Sequence, residues 1–184
     1  MKVEIKVEVP EGKSAEWVNG VLTLVDKKDN RPVTERIKTL QDAIDALGSE
    51  HPLVTEYNDI ANVSTDLQAY LELRIIVAAL NEGWEPQFNG EYRWYPWFKL
   101  IRESDIEDMD DEEKGRVVRR SGYYANAVGG CVCVSASSVA SLADGSFGAR
   151  LSLKSKELAL YAGRQFAQFY AEFIFGVPCK KLQD

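Results

Sequence analysis

The sequence predicts an α+β fold in which a mainly antiparallel sheet packs against two longer helices, residues 66–81 and 156–175. Two observations carry this prediction. Strand-like segments come first, helical stretches follow, and the chain then returns to strands before a final helix. The sequence shows no repeated strand–helix–strand unit, and a parallel sheet would require such units. We expect a single α+β domain over residues 1–184, because no linker long enough to divide it is found.

The N-terminal part of the chain is predicted to form strands. Residues 3–9 alternate valine or isoleucine with charged residues, a period of two that is typical of a half-buried strand. A Pro-Glu-Gly stretch ends this segment. Residues 17–25 indicate a second strand, with a turn at Asn19 and Gly20. We therefore expect the strands to begin near the N-terminus.

Three helices are predicted between Thr39 and Gly83. Thr39 caps the first helix, with Asp42 in the capping-box position. Pro52 suits the first turn of the second helix. The third helix spans residues 66–81, and its last turns are apolar nearly all round. We expect that end of the helix to be deeply buried.

The second half of the chain is predicted to alternate strands with loops and to end on a helix. Residues 92–100 indicate a strand interrupted by Pro96, which suits an edge strand or a bulge. The Cys-Val-Cys-Val run at 131–134 has high β propensity, and residues 150–153 indicate a last short strand. The final helix, residues 156–175, carries an aliphatic and aromatic stripe.

An acidic loop near residues 103–114 follows the aromatic strand. Eight of its residues are aspartate or glutamate. The EF-hand calcium loop needs glycine at its sixth position and glutamate at its twelfth. Counted from Asp105, these positions hold Asp110 and Arg116, so the calcium pattern fails. We interpret the segment as a solvated loop or a frayed helix, with the docking of a partner as the alternative.

Charge and composition exclude several classes of function. The net charge is -7 and the isoelectric point about 4.9, which disfavours sequence-independent binding to duplex nucleic acid. The N-terminal segment lacks the apolar stretch of a signal peptide, and no stretch is long and apolar enough to span a membrane. We expect no membrane partner and a location in the cytoplasm of a bacterium or of a phage-infected host cell, with the virion as a further location.

The residue types that usually carry catalysis or bind metals are scarce. His51 is the one histidine, so a Ser-His-Asp triad is disfavoured. Cys131 and Cys133 would share one face of a strand, but zinc needs four ligands, and the third thiol, Cys179, is distant in sequence. No Gly-rich phosphate-binding motif is present. The sequence predicts buried, reduced cysteines, no metal and no cofactor.

The aromatic segment, residues 84–98, is the best candidate for a binding site. Exposed rings of this kind stack on nucleobases or sugars, and neighbouring arginine and lysine side chains add positive charge. The alternative is that the rings fill the core beneath the C-terminal helix. Because positions 94 and 97 are three apart, we expect one tryptophan in the core and the other exposed. The candidate contact residues are Tyr92, Trp94, Tyr95 and Trp97.

Two motifs in about the last 120 residues carry a resemblance. One is GWEP at residues 83–86, which leads into YRWYPWF at 92–98. The other is GARLSLKS at 148–155, followed by ELALYAGRQF at 157–166. Together they resemble a group of small uncharacterised proteins encoded by gut Bacteroidetes and their tailed, crAss-like phages. The resemblance implies a phage or mobile-element context and assigns no site residue.

The first hypothesis for function is a non-catalytic interaction protein of phage or mobile-element type, acting on a protein partner that the sequence does not identify. The alternative is a single-stranded nucleic-acid-binding protein that uses residues 84–98. An enzyme comes third, because paired carboxylates could support glycosidase-like chemistry but no pair is singled out. Homo-oligomer formation stays open.

Overall fold

The computed structural model confirms the predicted α+β class, with antiparallel sheets and with helices packed against the four-stranded one. The described residues fall into two compact units, Met1–Pro32 and Val33–Asp184. The single domain over the whole chain stays a prediction. The structure describes residues 6–26, 29–87, 89–120, 129–140 and 149–182.

The first unit contains a β-hairpin. Strands β1 (Lys13–Val18) and β2 (Val21–Asp26) pair antiparallel. Asn19 and Gly20 form the turn with φ of 50° and 80°, the left-handed conformation that a two-residue Asn-Gly turn of this kind requires. The predicted turn is therefore confirmed, and it divides the predicted strand into two.

The first predicted strand, residues 3–9, is not formed in the part of it that the structure describes. Residues 6–10 are described and form no strand, whereas residues 1–5 lie outside the described part. Val7 and Val9 are exposed, so the alternating pattern buries nothing at these two positions. Alternation stabilises a strand only when a partner strand and a core cover its apolar face.

The second unit begins with helices whose caps agree with the sequence. Thr39 N donates to Asp42 Oδ2 (2.8 Å) and Asp42 N donates to Thr39 Oγ1 (3.1 Å), which confirms the capping box. His51 Nδ1 accepts from Leu53 N (3.2 Å), so the one histidine acts as a cap. No helix of the described residues is long and apolar enough to cross a membrane. The helices are α1 (Val33–Arg36), α2 (Leu40–Leu47), α3 (Pro52–Asp59) and α4 (Thr65–Asn81).

Four antiparallel strands form the sheet of the second unit, in the order β3-β5-β4-β6. The predicted strands at 92–100 and 131–134 are confirmed within β3 and β5. The sequence does not predict β4 and β6, because three residues carry too little periodicity. The strands are β3 (Tyr92–Ile101), β4 (Val118–Arg120), β5 (Gly130–Ala140) and β6 (Cys179–Lys181).

β3 lies at the edge of the sheet and accommodates Pro96 without losing a hydrogen bond to β5. Trp94 N donates to Leu153 O (3.1 Å) and Leu153 N donates to Trp94 O (2.9 Å), on the side away from β5. Every second residue of a strand directs its backbone polar groups to the same side. Pro96 therefore also faces away from β5, where no N–H is needed. The predicted edge position of this proline is confirmed.

Two predictions near the C-terminus are corrected. Residues 150–153 form one bridge at Leu153 after a 3-10 turn, Ala149–Leu151, instead of a strand. The predicted helix over 156–175 is divided at Phe166, whose φ of -108° and ψ of 25° leave the helical region. The two parts have different partners, because the first packs on β3 and β5 and the second on α4 and β4. These parts are α7 (Lys156–Gln165) and α8 (Ala167–Phe175).

The main core lies between α4, α7 and one face of the sheet. The C-terminal half of α4 is almost completely buried, which confirms the prediction from its apolar last turns. Trp94 and Phe98 on β3 pack against this core from the sheet side. The residues of α4 with no exposed surface are Leu73, Ile75, Ile76 and Leu80.

The acidic segment contributes to a second, smaller core on the opposite face of the sheet. It forms two short helices, α5 (Glu103–Glu107) and α6 (Asp111–Lys114), where a loop or a frayed helix was predicted. Ile106 is buried against Ile101 and Val117. All eight acidic side chains are exposed, so the segment is apolar beneath and acidic outside.

Gly163 allows the backbone of α7 to lie directly on the sheet. A Cβ atom at this position would lie 2.6 Å from Pro96 Cβ and closer still to Cys133 Sγ. Real Cβ atoms do not approach other atoms so closely, because protein interiors are close-packed. The absence of a side chain at Gly163 therefore sets the distance between α7 and the β3–β5 pair.

We predict that Gly163→Ala destabilises the protein by about 1–3 kcal/mol through overpacking. The usual effect of this change inside a helix has the opposite sign, a gain of about 1 kcal/mol. Denaturant titration measures the difference. Lys156→Ala, at an exposed position of the same helix, is the control and should change stability by less than about 0.5 kcal/mol. A Gly163→Ala variant as stable as the parent would contradict the close contact.

The acidic segment should be stabilised by its apolar side chain and not by its charges. We predict that Ile106→Ala costs about 2 kcal/mol or more, because it leaves a cavity in the smaller core. Replacing Asp108, Asp110 and Asp111 together with asparagine should cost less than about 1 kcal/mol, since all three are exposed and asparagine also caps helices. Denaturant titration of both variants checks this, and a larger loss for the triple variant refutes it.

Candidate binding sites

The four predicted contact residues divide between the two faces of β3. Trp94 is half-buried and packs against the main core, whereas Trp97 is 58% exposed on the opposite face. The spacing of three residues predicts this division. Tyr92 shares the face of Trp94 but is exposed at the start of the strand. Tyr95 is half-buried on the face of Trp97, so the four rings do not form one continuous surface.

The face of β3 and β5 that carries Trp97 is open, and we call it the sheet platform. On β3 the sheet platform consists of every second residue from Arg93, which is buried, to Lys99, which is exposed. Register places Trp97 opposite Ser135 and Tyr95 opposite Ser137, and both serines are exposed. The residues of the sheet platform are Arg93, Tyr95, Trp97, Lys99, Val134, Ser135 and Ser137.

A β-bulge adds an apolar side chain to the sheet platform. β5 carries one extra residue, Val134, between the partners of Trp97 and Phe98. Bulges change the direction of side chains, and Val134 is 47% exposed. Beside it lies a hollow of about 190 Å³, walled partly by the smaller core. Its apolar walls are Ile101, Met109, Val117, Val132 and Val134, and its charged rim is Lys99, Glu113 and Arg116.

A second surface, which we call the arginine cleft, lies beside the C-terminal end of α4. Its volume is about 500 Å³. The backbone turns sharply at Glu82 and Gly83, with φ of 51° and 81°, and Trp84 N donates to Asn81 O (3.0 Å). This turn brings the tryptophan and the proline of the GWEP motif to the cleft. The cleft is lined by Leu53, Arg74, Val77, Ala78, Asn81, Trp84, Glu85, Pro86, Arg93, Arg150 and Ser152.

Asn81, at the end of α4, is buried and connects this helix to the segment around Ser152, which also lines the cleft. Its Nδ2 donates to Ser152 O (2.8 Å), and its Oδ1 accepts from Lys154 N (3.1 Å). Lys154 Nζ also donates to Asn81 O (3.2 Å) and to Glu82 Oε2 (3.0 Å). A buried amide with both ends bonded fixes the position of the segment that carries Arg150.

The three arginines of the cleft have different environments. Arg74 Nη1 donates to Glu56 Oε2 (2.7 Å), and its guanidinium lies 5.8 Å from the centre of the Tyr70 ring. Arg93 is 7% exposed, and its Nη2 donates to Gln87 O (3.5 Å). Arg150 is exposed. Among the described lining residues, these three cations face one carboxylate, that of Glu85.

The sequence does not predict this cleft, because its cations come from separate parts of the chain. Arg74 is on α4, Arg93 on β3 and Arg150 in the 3-10 turn. The signals available were the GWEP motif after the helix and the arginine within the aromatic strand. Neither signal shows that Arg150 would lie nearby, since that proximity depends on the long-range contacts of Asn81.

The three cysteines are free and buried. Burial raises the pKa of Cys131 to about 12, with further contributions from Cys179 and Cys133. Burial likewise raises the pKa of Cys133. In the part of the chain that the structure describes, no cluster of histidine, cysteine and carboxylate side chains could hold a metal ion. These thiols serve as small core side chains.

Comparison of the chain with protein-family models, with curated proteins and with solved structures found no match. The resemblance to small proteins of Bacteroidetes and their phages stays a prediction. The structure itself defines an α+β protein with an open aromatic sheet face and an arginine-lined cleft.

We predict that the thiols of the folded protein react very slowly with Ellman's reagent at pH 8. The thiolate is the reactive form, and the raised pKa of Cys131 and of Cys133 leaves little of it at this pH. Cys179 is buried, which limits access of the reagent. All three thiols should react after unfolding in guanidinium chloride. Rapid reaction of the native protein, or zinc released in stoichiometric amount on alkylation, would contradict a structural role.

Proposed function

We propose that this chain is a non-catalytic interaction protein that binds a protein partner through the sheet platform. One observation carries the proposal: Trp97 is 58% exposed and lies next to the bulge that exposes Val134. Large apolar side chains exposed together mark protein-binding surfaces, and tryptophan is the side chain most enriched at their energetic centres. The hollow beside Val134 offers a place for an apolar side chain of the partner.

The arrangement around Trp97 has the anatomy of a binding surface. Apolar side chains lie at the centre, and Ser135, Ser137 and Lys99 lie around them as exposed polar groups. The serine hydroxyls have no histidine to activate them, because the single histidine caps α3. This supports a role in binding and not in acyl transfer, which needs a base beside the nucleophile.

The charge near the sheet platform favours a basic partner. The smaller core places the acidic segment, residues 103–114, on the same face of the sheet, and the eight acidic side chains of this segment are exposed. Complementary charge at the rim accelerates association and excludes wrong partners. We therefore propose a partner with an apolar side chain at its centre and a lysine- or arginine-rich rim. A second copy of this chain fits less well, because it carries the same net charge of -7.

The proposed setting is the cytoplasm of a bacterium or of a phage-infected cell, or the virion. It depends on the resemblance of the two C-terminal motifs to phage-encoded and Bacteroidetes proteins. We propose no contact with a membrane.

A second candidate is the binding of single-stranded nucleic acid. Tyr95, Trp97 and Lys99 alternate along one face of β3, so that two rings lie next to an exposed cation. Successive members are about 7 Å apart, which suits stacking of neighbouring bases. The acidic helices beside this face repel a polyanion, and the candidate therefore ranks second.

We predict that Trp97→Ala strongly weakens binding of the partner, whereas Tyr92→Ala leaves it unchanged. Tyr92 is the matched control, because it is an equally exposed ring on the opposite face of the same strand. Immobilised parent and variant proteins are incubated with host lysate. Any protein retained by the parent and by Tyr92→Ala but lost from Trp97→Ala is then purified and titrated. Truncation of a central tryptophan should weaken its binding by about 2 kcal/mol or more.

Stability and nucleic-acid measurements complete the test. Trp97→Ala should unfold like the parent, while Trp94→Ala should lose about 3 kcal/mol because its ring packs in the core. Fluorescence titration with oligothymidylate at low salt addresses the second candidate. Oligothymidylate binding that Trp97→Ala weakens, without a protein partner, would replace the first proposal by the second. No effect of Trp97→Ala on either ligand would refute both.

A further inference from the structure

We propose that the arginine cleft binds a nucleoside phosphate, a small ligand with one anionic group and one planar ring. This site shares Arg93 with the sheet platform, but Trp97, the centre of the proposed partner surface, does not line the cleft. A volume of about 500 Å³ is in the range of sites that hold one small molecule. The chemistry of its lining divides into a cationic part and an apolar part.

The cationic part recognises the phosphate. Arg93, Arg74 and Arg150 reach the same cleft, and a guanidinium offers paired N–H donors that match the oxygens of a phosphate. In a chain with a net charge of -7, three arginines beside two carboxylates, Glu85 in the lining and Glu56 paired with Arg74, form a local exception. An anionic ligand gains most from such a concentration of positive charge.

Two of the arginines are held in place before any ligand binds. Arg74 is oriented by Glu56 and by the Tyr70 ring, and Arg93 is buried at a fixed position of β3. A side chain already fixed loses little conformational entropy on binding, which increases affinity. Arg150 is exposed and is carried on a segment that Asn81 fixes to α4.

The apolar part recognises the ring. Trp84 is half-buried and lines the cleft together with Pro86. Leu53, Val77 and Ala78 supply aliphatic lining contributed by α3 and α4. An indole together with aliphatic side chains forms a slot for a planar ring, and stacking on an indole contributes to binding without selecting one base. This combination favours a nucleoside phosphate over inorganic phosphate or a simple sugar phosphate.

Calorimetric titration with three probes tests both parts at low ionic strength. The probes are adenosine 5′-monophosphate, adenosine and ribose 5-phosphate. We expect the monophosphate to bind at least about tenfold more tightly than either fragment, because each fragment lacks one of the two recognised groups. The affinity should fall as salt is added.

Two variants assign the groups, and a third is the control. Arg150→Gln, at an exposed position, should lower the affinity for the monophosphate by about tenfold. Trp84→Leu should lower the affinity for the monophosphate about fivefold or more and leave the affinity for ribose 5-phosphate unchanged. Arg102→Gln, an exposed arginine that does not line the cleft, should have no effect. The Trp97→Ala variant should also bind the monophosphate normally. Failure of the proposed partner surface would therefore not contradict the proposed nucleotide site.

The free nucleotide and the terminal nucleotide of a strand present the same chemistry. A 5′-phosphorylated oligoadenylate of eight nucleotides tells them apart. An affinity of the oligoadenylate equal to that of the monophosphate assigns the cleft to the free nucleotide. A higher affinity that Trp97→Ala reduces assigns the cleft to a strand end.

Three results would overturn the proposal. They are absence of monophosphate binding at about 10 mM, a monophosphate affinity equal to that of adenosine or of ribose 5-phosphate, and an Arg150→Gln variant that binds the monophosphate like the parent.

Discussion

The contact of α7 with the sheet at Gly163 is the constraint on which both proposed surfaces depend. Because Gly163 has no side chain, the helix lies directly over Pro96 and Cys133. That contact makes one face of β3 the inner face. Trp94 and Phe98 share the face of Pro96 and join the core, so the alternate residues of the strand, Trp97 among them, lie on the other face.

β3 connects the two surfaces through the same alternation. Arg93, at its start, lines the arginine cleft, and Trp97, four residues further on, lies at the centre of the sheet platform. Both side chains belong to the face that α7 leaves uncovered. A shift of the β3–β5 register by one residue would turn Trp97 toward the core and would move Arg93 out of the cleft. The stability of the fold and the position of the surfaces are therefore coupled.

Charge divides the surface of the second unit into regions with different roles. The eight acidic residues of the segment 103–114 lie on the platform side, and Ile106 of this segment is buried beneath them. The three arginines lie at the cleft, beside the end of α4. Glu82, close to that cleft, is paired with Lys154 and Arg36, which hold its pKa below the usual value. Its negative charge is thus neutralised locally and does not oppose an anion in the cleft.

The sequence by itself determined the features that depend on neighbouring residues. The Thr39 capping box, the Asn19-Gly20 turn and the buried end of α4 all follow from local hydrogen bonding, backbone preference or periodicity. Pro96 likewise predicted an edge strand, because a missing N–H is tolerated only there or at a bulge. The division of Trp94 and Trp97 between two faces followed from their spacing alone.

Only the tertiary structure decided the features that depend on distant contacts. The helix is interrupted at Phe166 because its two parts pack on different partners, and no local signal separates them. The alternation of residues 6–9 produced no strand, since a strand also needs a partner. Arg74, Arg93 and Arg150 share a cleft because a buried asparagine joins segments about seventy residues apart. Local patterns specify elements, whereas a binding site assembled from several elements requires the packing that brings them together.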